Sequence, residues 1–270
     1  MLFTSYEFIV FLIVVFLLYY TIPQKWQWCF LLVANYVFYF IADKRYIIYI
    51  MVTTLSVWYI ALMIQKKKDA FEEEFAIVKK QLDRQQRKEL KEQEKKKEWH
   101  LMLIALLLNI GILAIVKYTN FGISNLNSIL NGLRIGTQIS FVSIIVPMGI
   151  SFYTFQSLGY LIDVYRGKYK AESNLFKFAL FVSFFPQLVQ GPISRFDDLS
   201  KTLFAEHKPE YQNICFGLQR ILWGFFKKLV IADRMLIAVN TIIGDSMKKI
   251  LFTGARSGIA SAVIDKLIGK

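Results

Sequence analysis

Pro186, Gln187, Gln190, Gly191, Pro192 and Arg195 fall within ten residues, in the stretch FFPQLVQGPISRF at 184–196. Each proline removes a backbone donor and disfavours helix through the residue before it. The two glutamines carry amides that can satisfy backbone groups released by such a break. Gly191 permits a tight turn or the close approach of another chain. Arg195 can hold a carbonyl, a phosphate or a headgroup. Two readings follow from these residue types. The stretch either caps a terminating or re-entrant helix, or it lines a polar cavity.

Few other side chains offer chemistry. Asp163, near the end of an apolar run, can be a proton acceptor, although a capping or salt-bridged role is the simpler expectation. The two histidines are His100, at the end of a charged segment, and His207, in the polar loop AEHKPEY. They read as an interfacial and a loop residue, not as catalysts. Cys29 and Cys215 both sit in apolar surroundings and read as small buried hydrophobes. Neither a disulfide nor a metal site is expected of them.

The elements that must position these residues are written in the hydropathy. The chain of 270 residues is 55% hydrophobic and 16% aromatic. Residues 8–23 carry no charge, and 26–42, 46–64 and 101–116 are similar. Apolar runs near this length cross a bilayer as helices. The first lacks the basic flank and small-residue site of a cleaved signal peptide. The expected class is an all-α, polytopic helical membrane protein with re-entrant or interfacial helices. Its formal net charge of +13 lies largely at the ends of apolar runs, as at Lys25, Lys44, Arg45, Lys117, Lys227 and Lys228. Snorkelling and anionic headgroups account for that placement better than nucleic acid does.

Residues 65–100 hold twelve Lys/Arg and nine Asp/Glu with no Pro or Gly. They read as a solvated helix or helical hairpin, rich in i,i+4 pairs, placed in the cytoplasm. Three preceding spans then put the N-terminus outside, in agreement with MLFTSYE, which has no Lys or Arg. The short connector at 42–45 would be external, against the rule. Residues 119–139, rich in Asn, Gly and Ser, read as a loop or interfacial segment. A helical pattern resumes over 211–243.

The blocks VPMGISFYTFQSLGYLIDVYRGK (146–168) and FVSFFPQLVQGPISRFDDL (181–199) closely resemble the membrane-bound O-acyltransferase family. The branch of alginate and D-alanine transfer proteins is the best match. GLQRILWGFFKKLVIADRM (217–235) and the aromatic N-terminus resemble it too, so the likeness covers roughly residues 1–246. It implies re-entrant segments around a buried tunnel. An acyl group arrives on a cytoplasmic donor or acyl-carrier protein, and a hydroxyl of an extracytoplasmic polysaccharide or cell-wall polymer receives it. It favours the cavity reading, and it adds Gln156 and Asp163 to Pro186, Gln187, Gln190, Gly191, Pro192 and Arg195 as tunnel candidates. The family's histidine base lies in a segment beyond these blocks, and neither His100 nor His207 stands in a matching motif. No catalytic residue is therefore carried over, and the chain is expected to end before that histidine.

Residues 247–270, MKKILFTGARSGIASAVIDKLIGK, resemble the strand–turn–helix opening of a short-chain dehydrogenase/reductase. Gly254, Ser257 and Gly258 stand where a dinucleotide pyrophosphate would approach. With no second strand or catalytic motif, no cofactor is expected to bind, and a partial 1–246 domain joined to a reductase start is the expectation. A terminal amphipathic helix is the plainer alternative. The function expected is acyl transfer in the cell membrane. A non-catalytic scaffold or subunit of an acyl-transfer or export complex is the second class, and a transporter with broken helices the third.

Overall fold

The computed structural model describes residues 5–79, 83–133, 139–142, 146–147, 149–188 and 193–242, all helical or irregular with no strand among them. The expected tail at 247–270, its candidates Gly254, Ser257 and Gly258, and the boundary at 246/247 lie outside the described residues. The chain divides into two compact units, 1–207 and 208–270.

In the first unit, α1 (Tyr6–Thr21) starts at Ser5, whose hydroxyl accepts from the Phe8 amide at 3.3 Å. A 3-10 turn, Gln24–Trp26, follows Pro23 and leads into α2 (Gln27–Asp43). Next come α3 (Tyr46–Val78) and α4 (Arg84–Gly132), the latter opened by a capping box between Asp83 and Gln86. Two described helices, Ile47–Val78 and Arg84–Gly132, are long and apolar enough to cross a membrane. Tyr6–Thr21 and Leu175–Gln187 are shorter apolar helices. The surface is apolar as well: Val10, Leu17, Val33, Phe40, Ile48 and Leu55 all point outward.

The charged insert is a hairpin that continues both apolar helices instead of a separate lobe. Its first arm is the end of α3 and its second the start of α4. Beyond the apolar part of α4 the structure departs from the sequence reading. Helix runs on to Gly132, through most of the Asn/Gly/Ser-rich stretch expected to be a loop or an interfacial segment, which removes the loop alternative for 119–132. The asparagines there bind a returning segment instead of breaking the helix. Asn120 pairs with both backbone groups of Val142 (Nδ2 to O 2.8 Å, N to Oδ1 3.0 Å), and Asn127 does the same to Ile139 at 2.9 Å each. Spaced seven apart, the two amides lie on one helix face.

Then come α5 (Ile150–Tyr165), α6 (Leu175–Ser183), a four-residue α7 (Phe185–Leu188) and α8 (Phe196–Leu203). Gly149 enters α5 at φ 75°, in the left-handed region that glycine adopts without a Cβ penalty. The core of this unit packs α5 against α3, α4 and α6 around Ile50, Val57, Tyr153, Leu161, Phe178 and Phe181. In the second unit, α9 (Tyr211–Phe226) runs into a π-helical turn, Lys227–Ala232, and helix continues to 242. The helical pattern expected over 211–243 is thus present as far as 242, the last described residue. Lys228 pairs there with Asp233 at 2.7 Å.

Candidate functional site

The break between α6 and α7, at Phe184, exposes backbone groups in apolar surroundings, where every one must find a partner. Two amides from other helices supply them. Gln156 of α5, buried, donates from Nε2 to the Phe181 carbonyl at 2.9 Å. Asn35 of α2, also buried, accepts from the Phe185 amide at 3.0 Å through Oδ1. Pro186 sits in the second position of α7, where a missing N–H costs no helical bond.

Gln187 works differently from the expectation. Its Nε2 donates to the Ser194 hydroxyl at 2.9 Å and so ties together the two ends of 188–193, instead of serving a helix carbonyl. Gln190, Gly191 and Pro192 lie outside the described residues.

On α5, Gln156, Gly159, Tyr160 and Asp163 recur at i, i+3, i+4 and i+7, which places them on one face. With Ile193, Ser194 and Arg195 from the other side they enclose a cavity of about 220 Å³. The structure therefore brings Gln156, Asp163 and Arg195 into one site. Phe196 fixes Arg195 at the rim, because its ring is buried against Tyr160 (5.0 Å), Phe181 (5.1 Å) and Tyr169 (5.6 Å). Tyr160 is itself held by the Glu172 amide, which donates to its Oη at 2.7 Å.

Charge beside the cavity is organised by Lys168. Its Nζ lies 2.8 Å from Asp197 and 3.9 Å from Asp163, so one ammonium joins α5 to α8. That hydrogen bond holds the Asp197 carboxyl below its ordinary value. Burial pushes the Tyr169 phenol up, with Asp163 adding to the effect. Asp163 is thus salt-bridged, the simpler of its two expected roles. Gln156, Asp163, Ser194 and Arg195 can grip a small polar group by hydrogen bonds and charge. None of the four is arranged as a nucleophile with a base.

The histidines stand elsewhere. His100 Nδ1 meets the Lys96 carbonyl at 2.6 Å on exposed α4. His207 Nε2 meets the Thr202 carbonyl at 2.7 Å, and its backbone is clasped at both ends by Gln27 (Nε2 to O 2.9 Å, N to Oε1 3.0 Å). Among the described residues no group of three or more His, Cys, Asp or Glu could hold a metal ion. Asn35, Lys168 and Ser194 belong to the site but were missed in the sequence. Only Asn35, an amide in the middle of an apolar run, carried a visible signal.

The chain is 39% identical over 134 residues to a probable alginate O-acetylase of Pseudomonas aeruginosa, covering 50% of this chain and 25% of that protein. It is 30% identical over 158 residues to a peptidoglycan O-acetyltransferase of Helicobacter pylori, covering 49% and 29%. Over about half its length the chain is similar to proteins of membrane-bound O-acyltransferase type. A teichoic acid D-alanyltransferase of Bacillus subtilis shares 31% identity over 96 residues, 35% of this chain and 23% of that protein. The chain covers about a quarter of the length of these acyltransferase relatives. No protein-family model and no solved structure matches it.

Proposed function

We propose that this chain belongs to a membrane O-acyltransferase that moves an acetyl-like or alanyl group onto a hydroxyl of an exported polysaccharide or cell-wall polymer. The similarity to O-acetyl- and D-alanyltransferases supports the reaction class. The observation that carries the site is the α5 face of Gln156 and Asp163 closed by Ser194 and Arg195 around a small cavity. In the reaction the acceptor oxygen forms a bond to the acyl carbonyl carbon, the bond from that carbon to the donor breaks, and the hydroxyl proton passes to a base. Arg195 and Gln156 hold the acyl or acceptor oxygens, while Lys168 keeps the wall in place. An acyl donor or carrier protein on the cytoplasmic side is the partner. The protein spans the cell membrane several times, a reading supported by the two long apolar helices and the outward apolar faces. Its N-terminus lies outside on the reading that the basic hairpin is cytoplasmic.

A second reading, a non-catalytic subunit of such a complex, is favoured by one observation: neither His100 nor His207 lines the cavity. Ester content of the surface polymer, measured in cells with and without the chain, tests the proposal. Added ester that falls at least ten-fold with Arg195→Ala or Gln156→Leu is the expected result. Ester that appears only when a second acyltransferase is present would establish the subunit reading, and unchanged ester throughout would sink both.

A further inference from the structure

The base of the charged hairpin gathers cations that are far apart in sequence. The triplets Lys66-Lys67-Lys68 and Lys95-Lys96-Lys97 end one apolar run and precede the next. The antiparallel arms bring them level, and the pairing of Lys68 with buried Glu98 at 3.8 Å fixes that register. Lys68 also donates to the carbonyls of Val164 and Tyr165, at 2.8 and 2.7 Å. It thereby caps the C-terminus of α5, where cations are favoured, and brings Arg166 and Lys170 to the same level.

Lys66, Lys95, Lys96, Arg166 and Lys170 are exposed, and no ion pair engages them among the described residues.

We infer that this collar binds the headgroups of anionic phospholipids in one leaflet, on the reading that α3 and α4 cross the bilayer. Three geometric facts select a lipid surface over a soluble acidic partner. Each triplet rises only ~3 Å along its helix, within the few ångströms of a headgroup layer. Successive residues of a triplet turn about 100°, so the outward charges Lys66, Lys95 and Lys96, with Arg166 and Lys170 beyond α5, are spread over several faces, whereas a protein partner needs a one-sided patch. Trp99, exposed beside the second triplet, marks the same level, as tryptophan does at membrane interfaces. Phosphate oxygens accept from the ammonium groups while the acyl chains lie against the apolar parts of α3 and α4.

The test uses the full chain in nanodiscs. Trp26, Trp28, Trp58 and Trp223 are changed to Phe, which leaves Trp99 as the one tryptophan. Quenching of Trp99 by brominated phosphatidylglycerol is compared with quenching by brominated phosphatidylcholine. Each lysine near an anionic surface adds roughly five-fold in binding, so the glycerol lipid should be preferred by at least that factor. The preference should fall towards unity in K95Q/K96Q/K97Q, survive in K95R/K96R/K97R, and weaken with salt. It should also survive in K79Q, because Lys79 lies ~16 Å further out along the arm from Lys68. Phosphatidylglycerol retained through detergent exchange, counted by mass on the unsubstituted chain, gives the same comparison without the Phe changes. Equal quenching by the two lipids overturns the inference, as does a preference indifferent to the triplet. Loss of the preference in millimolar inorganic phosphate assigns the collar to a soluble anion instead. A chain that alkaline carbonate strips from membranes overturns the spanning reading on which the collar rests.

Discussion

Lys168 holds two carboxylates from different elements, and its hydrogen bond is the largest influence on Asp197. The direction of that shift fixes a pH dependence. Asp197 has a lowered folded value, so its contribution is complete above the unfolded value of about 4 and is lost as pH falls through the folded value. Melting temperature in detergent should therefore slope downward below about pH 4, and Asp197→Asn should flatten the slope. Tyr169 makes the opposite case. Its hydroxyl is buried without a partner, so a desolvated donor is already being carried. Tyr169→Phe should leave the melting temperature unchanged or raise it slightly. A loss of several degrees would show that the hydroxyl is engaged.

Helices and their joints were legible to different degrees. The apolar runs foretold α1 to α4, and the prolines of 184–196 foretold a break, because hydropathy and missing donors are local properties. What repairs the break was not legible, since Gln156 and Asn35 reach it from 25 and 150 residues away. The same holds for Lys168, whose partners are set only when α5 meets α8. Residues 119–139 misled for a related reason. Asparagine competes with helix locally, but Asn120 and Asn127 direct their amides to the backbone of Val142 and Ile139 instead. Asn127→Leu should leave α4 intact and speed hydrogen exchange at Ile139, at a cost of about 1 kcal/mol. Lys68 is the costlier joint. Lys68→Met strands Glu98 and two carbonyls, a loss of about 2–3 kcal/mol in denaturant unfolding. Adding Glu98→Gln should recover part of it, because the stranded charge is then gone. Additive losses in that double variant would contradict a joint role.

For the molecule as a whole, orientation is the property that composition argued and geometry leaves to experiment. The hairpin concentrates charge at one end of α3 and α4, and positive charge marks the cytoplasmic side. With Cys29 and Cys215 replaced by Ser, a cysteine at Glu89 should react with an impermeant maleimide only in inverted vesicles. One at Tyr6 should react in intact cells. The reverse pattern would turn the molecule over, and with it the side from which the acyl donor arrives.

The clasp of His207 by Gln27 joins residues 180 positions apart. Gln27 is almost wholly buried, yet the His207 half of its pairing is missing until the ribosome has made the rest of the first unit. At 5–20 residues per second that interval is about 10–40 s. During it, Gln27 Nε2 has only the Tyr19 carbonyl at 3.4 Å, and its Oε1 awaits the His207 amide. Arrival of the 204–210 loop completes the pairing, so the two ends of the first unit are stitched together by the last event of its synthesis. A chain stalled shortly before His207 would present quality-control proteases with an unfinished seam.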